Sequence, residues 1–339
     1  MLQNSPAEVF STAFLGDFVF QTLLEILPGV LLGGFVLGCV YAMIAIGYTM
    51  VYGVLQLINF AHSEIFMIGA VAGLEITRAL QSHVQQPYLL LLCALLGASA
   101  TGAFTAMAVE RLAYRPLRKR GSTNRLVPLI TAIGVSFLLQ DLVKLIEALW
   151  HNEFFLKFPS IEAFNYTIEL PYDTLLQVKS LVVIIISLLM AVLMYFVVNK
   201  TRLGLSIRAV AQDPRTASLM GINPDKVIAH TFGIGGALGG VAGVLFGLQY
   251  SVLSPYVGFI PGVKAFTAAV LGGIGSMPGA LLGGLILGQL ETLGGTYLPL
   301  LTDGNIGTEY KDIIAFLILI VLLLFRPQGL LGSAAPEKV

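Results

Sequence analysis

Four polar residues, Asn59, His62, Ser63 and Glu64, stand together between apolar runs. Ionisable groups flanked by so much hydrocarbon are functional candidates by default, and lining or gating a path is the chemistry they suit. A second reading sets them at a membrane interface, with Glu64 capping the helix it begins and His62 wetted. An intramembrane enzyme fits the spacing poorly. His62 and Ser63 are sequence neighbours that cannot face each other on a helix, and neither an HExxH metal pair nor a GxSxG nucleophile turn occurs. No catalytic residue and no metal ligand set is expected. The chain also lacks the G-x-x-x-x-G-K-[ST] phosphate loop; its LGGIG stretch from Leu271 to Gly275 has neither the Lys nor the Ser or Thr that would hold phosphate and metal.

A second group, Lys264, Phe266 and Thr267, precedes that glycine stretch. An apolar amino acid needs apolar walls and a few polar groups, so this group is a candidate path lining. The alternative for Lys264 is neutralisation of a lipid phosphate or pairing with an acid outside the membrane. Asp141 and Lys144 have the three-residue spacing of an intrahelical ion pair, with Gln140 beside them.

The segment from Asn199 to Phe232 is long and charged, and it carries two helix starts. Asp213 followed by Pro214 is an N-cap with Pro at the first helical position, and Gly221 supplies a stop after Met220. Asn223 and Pro224 repeat the signal and open a helix that runs through Val227. The short helix between them exposes Arg215 and Ser218 and leaves Ala217, Leu219 and Met220 able to fill a groove, as a protein-docking element does; the alternative is a solvated loop.

The elements that must position these groups are membrane spans. The 339 residues are 56% hydrophobic and only 11% charged, against about 25% charged in an ordinary soluble domain, and mean hydropathy is +0.86. A zero formal net charge points to no nucleic acid. Cys39 and Cys93 lie in apolar runs, where no disulfide framework is expected. Apolar runs bounded by charge or Pro predict spans over Tyr88–Leu112, Leu126–Trp150, Leu181–Val198 and Ile313–Phe325. Gly29–Gly53, Val227–Tyr250 and Gly279–Leu298 add three more. Glu64–Leu80 and Gly262–Met277 read as short, broken or re-entrant. The fold class is therefore all-α and polytopic, with about eight transmembrane helices. Val9–Leu27, with Asp17, Gln21 and Glu25, suits an interfacial helix.

One side of these spans collects Arg111, Arg115, Arg118, Lys119, Arg120 and Arg125, then Lys200, Arg202, Arg208, Arg215 and Lys226, then Arg326. The other loops are acidic or neutral, with Glu153, Glu162, Glu169 and Asp173 against Lys157 and Lys179, then Asp303, Glu309 and Asp312 against Lys311. Positive loops stay inside, which predicts a cytoplasmic C-terminus and an extracytoplasmic N-terminus in a cell inner membrane protein. The expected organisation is a segment 1–28, a transmembrane domain 29–326 with a cytoplasmic loop at 199–226, and a tail 327–339. Small-xxx-small pairs such as Gly34 with Gly38, Gly239 with Gly243 and Gly284 with Gly288 predict helices in close contact.

The loop resembles the EAA-like cytoplasmic loop of binding-protein-dependent ABC permeases, and the chain is similar to branched-chain amino-acid permeases of the LivH type. The likeness covers most residues after about 29. It includes YAMIAIGYTMVYGVLQLINFAHSEIFMIGA from Tyr41, RLAYRPLR from Arg111, ITAIGVSFLLQ from Ile130, LMGINPDKVIAHTFGIGGALGGVAGVL from Leu219, the run from Ser254 to Gly288, YKDIIAF and RPQGLLG. The chain departs from the pattern at Ser63, where the motif INFAHGE places Gly. Phe60 leans toward amino acids, since urea permeases more often read INMAHGE.

The resemblance implies a non-catalytic path for branched-chain or neutral amino acids. Around it would stand a second homologous permease subunit, LivM-like, two ATPase subunits carrying ATP and Mg, an extracytoplasmic solute-binding protein and the lipid bilayer. No cofactor is expected on this chain. In the coupling loop the resemblance assigns ATPase contact to Arg208, Asp213, Pro214, Arg215, Ala217, Ser218, Met220 and Gly221. A urea or amide permease, or a self-sufficient secondary transporter, is the alternative.

Overall fold

A computed structural model describes residues 6–56, 59–119, 126–152, 155–171, 174–254 and 256–332. Of the residues singled out above, Arg120, Arg125, Glu153, Asp173 and the last part of the tail, 333–339, lie outside that set, as do residues 1–5.

The chain is a bundle of helices: α1 (Pro6–Leu55), α2 (Ala61–Leu80), α3 (Pro87–Val109), which continues through a π-helical turn at Glu110–Tyr114 into α4 (Arg115–Lys119), α5 (Leu126–Trp150) and α6 (Val178–Lys200). Next come α7 (Arg202–Gln212), α8 (Pro214–Leu219), α9 (Pro224–Tyr250), α10 (Phe259–Gly272), α11 (Met277–Leu301) and α12 (Lys311–Phe325). Strand content is two small antiparallel ribbons, β1 (Leu156–Lys157) with β4 (Val252–Leu253) and β2 (Thr167–Leu170) with β3 (Thr174–Gln177).

Among the described residues, five segments are long and apolar enough to cross a membrane: Gln21–Leu55, Pro87–Lys119, Leu126–Trp150, Val178–Lys200 and Pro224–Tyr250. The chain is thus a polytopic all-α membrane protein, as its hydropathy pattern requires. α1 runs unbroken through Pro28, the point where the sequence pattern suggests a boundary. At 14 residues, α10 spans about 21 Å, short of a hydrocarbon core of roughly 30 Å. It stops at a turn in which Gly273 (φ +105°) and Gly275 (φ +94°) take conformations that side chains rarely adopt, so the predicted interruption is real.

Glycine sets how closely the helices approach. On α9, a Cβ at Gly240 would strike the backbone of Ala98 and Ser99 on α3, and one at Gly243 the backbone of Phe66 and Ala70 on α2. Gly69 of α2 meets the Gly240 backbone, and Gly102 of α3 meets Gly236. α11 lies antiparallel along α1 by the same means, with Gly288 against Gly38 and Gly284 against Ala42. Because lipid supplies little hydrophobic drive between helices, this contact is what holds them together. α5 and α6 keep broad apolar faces outward instead, including Ile130, Phe137, Leu189 and Phe196.

Arg111, Arg115, Arg118, Lys119, Lys200, Arg202, Arg208, Arg215 and Lys226 lie on α4, α7, α8 and the helix ends that join them, at one end of the bundle. There Arg115 and Arg118 of α4 pair with Asp225 of α9 at 3.0 and 2.8 Å, and Arg118 reaches buried Glu110 at 2.8 Å. The start of the tail closes the same end, Leu330 and Leu331 donating backbone hydrogen bonds to the carbonyls of Leu271 and Gly272.

Gly240→Leu should therefore force α3 from α9 and destabilise the protein by about 1–3 kcal/mol or more, read as a lower melting temperature in detergent. Gly134→Ala, whose Cβ would meet nothing within 4 Å, should leave the melt unchanged.

Candidate functional site

The first site forms where the C-terminal part of α1, the start of α2, and α9 and α10 converge. After Leu55 the helix ends, and Gln56 takes a positive φ of 52°. The chain then re-enters the bundle at Asn59, whose Oδ1 accepts from Ala61 N at 3.1 Å and from Tyr114 OH at 2.9 Å. His62, Ser63 and Glu64 lie on the first turn of α2, all buried.

The His62 imidazole is wedged between α1 and α9. Its Nε2 lies against Gly47, where a Cβ would collide with it, and its Cε1 is 3.6 Å from the Cβ position of Gly239. Its ring stands edge-on to Tyr48 at 4.8 Å, and Tyr48 to Phe266 at 6.0 Å; Phe60 completes the ring group 5.9 Å from Phe266. Glu64 Oε1 accepts from Ser136 Oγ of α5 at 3.1 Å, while Ser63 Oγ donates to the Phe60 carbonyl at 2.6 Å. Ser63 also abuts α10: its Cβ fills the place where a side chain on Gly262 would go. The serine that departs from the family motif is thus accommodated by a facing glycine.

Asn59 Nδ2, His62 Nε2 and Glu64 Oε2 are buried without a hydrogen-bond partner among the described residues. Leaving such groups unsatisfied costs about 1–3 kcal/mol each, more than packing alone would retain at three neighbouring positions. The space among Tyr48, Thr49, Tyr52, Asn59 and Phe266 is only ≈ 10 Å³, about one water-sized sphere. The aromatic group is shut in this conformation.

The candidate lining residues of α10 divide. Phe266 joins the rings, and Thr267 Oγ1 folds back onto the Lys264 carbonyl at 2.6 Å. Lys264 turns instead into a buried ion network. Its Nζ lies 2.8 Å from Glu291 Oε1 of α11 and 2.8 Å from Asp312 of α12, Lys311 reaches Glu291 at 2.9 Å, and Tyr41 OH donates to Glu291 Oε2 at 2.8 Å. Lys264 thus pairs with two acids, Glu291 buried within α11 and Asp312 at the start of α12. Asp141 and Lys144 pair at 3.2 Å with Lys144 over the Tyr256 ring, an arrangement on the bundle surface.

The second site is α8. Asp213 caps it, accepting from Arg215 N at 2.9 Å and from the Thr216 hydroxyl. These donors, the Thr216 hydroxyl foremost, hold the Asp213 carboxyl below its ordinary pKa. Gly221 (φ +83°) lets the Ile222 N–H return to the Ala217 carbonyl at 3.0 Å, closing the helix. Helix α8 ends at Leu219, with Met220 as its cap. Ala217 is buried against the chain's own Ile207, Val210 and Val227, whereas Leu219 (87% exposed) and Met220 (79%) stand free with Arg215 and Ser218. Two apolar side chains, not three, are therefore available to a partner's groove. Arg208 of α7 donates to the Val198 carbonyl and ties this layer to α6.

α7 itself, capped by Thr201 Oγ1 accepting from Gly204 N at 3.1 Å, is not foreseen from the sequence, and neither are the roles of Tyr41, Tyr48, Glu110, Tyr114, Ser136 and Glu291 as partners of the site residues. Glu110 and Glu291 carried a usable signal: each is a lone carboxylate inside an apolar run.

The family described as branched-chain amino acid transport system / permease component matches residues 30–323. The chain belongs to this family. It is 44% identical over 315 residues to the high-affinity branched-chain amino acid transport system permease protein LivH of Salmonella typhimurium, covering 90% of this chain and 96% of that protein. To the permease protein BraD of Pseudomonas aeruginosa it is 43% identical over 310 residues, 91% and 97% of the two chains. Likeness to the permease protein LivM of Escherichia coli is 30% over 158 residues, 45% of this chain and 35% of that one. No solved structure matches.

Glu291→Ala would leave Lys264 with Asp312 as its one remaining acid and take from Lys311 the carboxylate it pairs with. It should cost about 3–5 kcal/mol, visible as lost folded protein in detergent. Glu64→Gln keeps the shape of its site and should melt near wild type while lowering transport in membrane vesicles.

The cap makes a separate prediction. A carboxyl held below its ordinary pKa contributes fully above that value and loses its contribution as pH falls through the lowered one. Asp213→Ala should fray α8 at every pH and Asp213→Asn should retain it, as read by amide exchange at Arg215 and Thr216.

Proposed function

We propose that this chain is the permease subunit of an ABC importer, forming half of a translocation path for branched-chain or neutral amino acids. The observation that carries the reading is the identity of 43–44% across nine-tenths of the chain to permeases named for branched-chain amino acid transport. The second half of the path is a homologous subunit; the likeness to LivM supports a partner of that kind.

α8 is the docking element for an ATPase subunit, one of two in the assembly, and ATP and Mg sit on those partners. Leu219 and Met220 enter the ATPase groove, with Arg215 and Ser218 at its rim. The basic end then faces the cytoplasm and the N-terminus lies outside, and a solute-binding protein delivers substrate at the opposite end. The subunit itself is non-catalytic. Its work is positional: α8 leads through the Asn223 cap directly into α9, whose glycines touch α1, α2 and α3 around His62. Displacement of α8 by its partner thus reaches the Tyr48, His62 and Phe266 group, which opens to admit an apolar side chain and closes behind it. Side-chain preference resides largely in the external binding protein.

Deleting the gene should abolish most high-affinity uptake of labelled leucine, with a smaller effect on alanine and none on urea; loss of urea uptake alone would overturn the substrate class. Ser218→Cys should crosslink to an ATPase subunit in native membranes, and purified chain without ATPase should be inert in liposomes under an ion gradient. Ion-driven uptake there would favour a secondary transporter.

A further inference from the structure

At the end of the bundle opposite the basic loops, α2 and the exit of α5 bring together Glu75, Glu147 and His151, none of which belongs to the sites above. One donor atom from each lies within 4.8 Å of the other two. The imidazole sits between the carboxylates, Nδ1 3.4 Å from Glu147 Oε2 and Nε2 3.8 Å from Glu75 Oε2. Both separations exceed a good hydrogen bond. Arg78 takes the other Glu75 oxygen at 3.2 Å, which leaves Oε2 directed at the cluster.

The independent observation is Glu147. It is 2% exposed, and its Oε2, the atom facing His151, has no hydrogen-bond partner among the described residues. A buried carboxylate oxygen that meets an imidazole only at the 3.4 Å of a loose ion pair, with a second carboxylate close by, is an arrangement that a cation completes.

We propose that Glu75, Glu147 and His151 form a binding site for a divalent transition-metal ion of the zinc class. The donor set decides the class. An imidazole nitrogen suits zinc and its neighbours, whereas calcium and magnesium take oxygen ligands. Three protein donors also match a tetrahedral ion with one open position. Ligand oxygens and nitrogens about 2.0–2.2 Å from such an ion require the cluster to contract from its present span. His151 is placed to allow this: it is partly exposed just past the last turn of α5. The ion would tie α2 to α5 at the end where these helices emerge.

The test uses the purified full chain in detergent, titrated with Zn²⁺ alone by calorimetry and with Co²⁺ by visible absorption. One equivalent of Zn²⁺ and a Co²⁺ ligand-field band are expected. Glu147→Gln should weaken Zn²⁺ affinity at least tenfold, as should His151→Gln, which removes a partly exposed group and keeps the fold if the buried substitution does not. Glu162→Gln, an exposed acid elsewhere, should change nothing. No stoichiometric Zn²⁺, equal affinity in both variants and wild type, or Ca²⁺ bound in preference to Zn²⁺ would each overturn the site.

Discussion

Backbone contact between glycine-lined helices is the constraint on which the rest of this protein depends. α9 touches α3 through Gly236 and Gly240, and α2 through Gly240 and Gly243, at separations that no side chain would permit. Each such contact gives up a Cβ and gains dispersion and packing along the whole seam. The consequence is rigidity: interfaces this close do not deform continuously, so α2, α3 and α9 must shift together or not at all.

That rigidity connects the two candidate sites. α8 is anchored through Ala217 to the same apolar layer as Val227 and Ile228, at the start of α9. The ion pairs of Asp225 with Arg115 and Arg118 lock that start to α4, and so to the π turn of Glu110–Tyr114. Tyr114 in turn holds Asn59 at the entry to α2. These contacts form an unbroken series from α8 to the entry of α2, the route that the proposed coupling would take. On the other side, the Lys264, Glu291, Asp312 and Lys311 network binds α10, α11 and α12 to one another, and Tyr41 ties α1 to it.

Sequence pattern alone reveals the spans, because a helix in lipid must be apolar along its length: Leu126–Trp150 is read to the residue. The caps at Asp213 and Asn223 are equally legible, since Asx followed by Pro has few other uses. α7 is not, because its Thr201 cap lies between charges and its apolar stripe is short. The facing of charged groups is also hidden. Nothing in the order of residues says that Lys264 meets Glu291 and Asp312, or that Arg118 reaches back to Glu110, because those pairs are made by helices brought together over long separations. For the same reason Asn59, His62, Ser63 and Glu64 can be named from sequence, while their neighbours Tyr48 and Ser136 cannot.

The most direct measurement is a pair of spin-label distances in the assembled transporter, with and without trapped nucleotide: one from Ser218 on α8 to Gln81 at the far end of α2, the other from Ser218 to Leu324 near the end of α12. Transmission by a rigid α8, α9 and α2 block predicts that the first distance stays fixed while the second changes. A change in the first with the second fixed would contradict it.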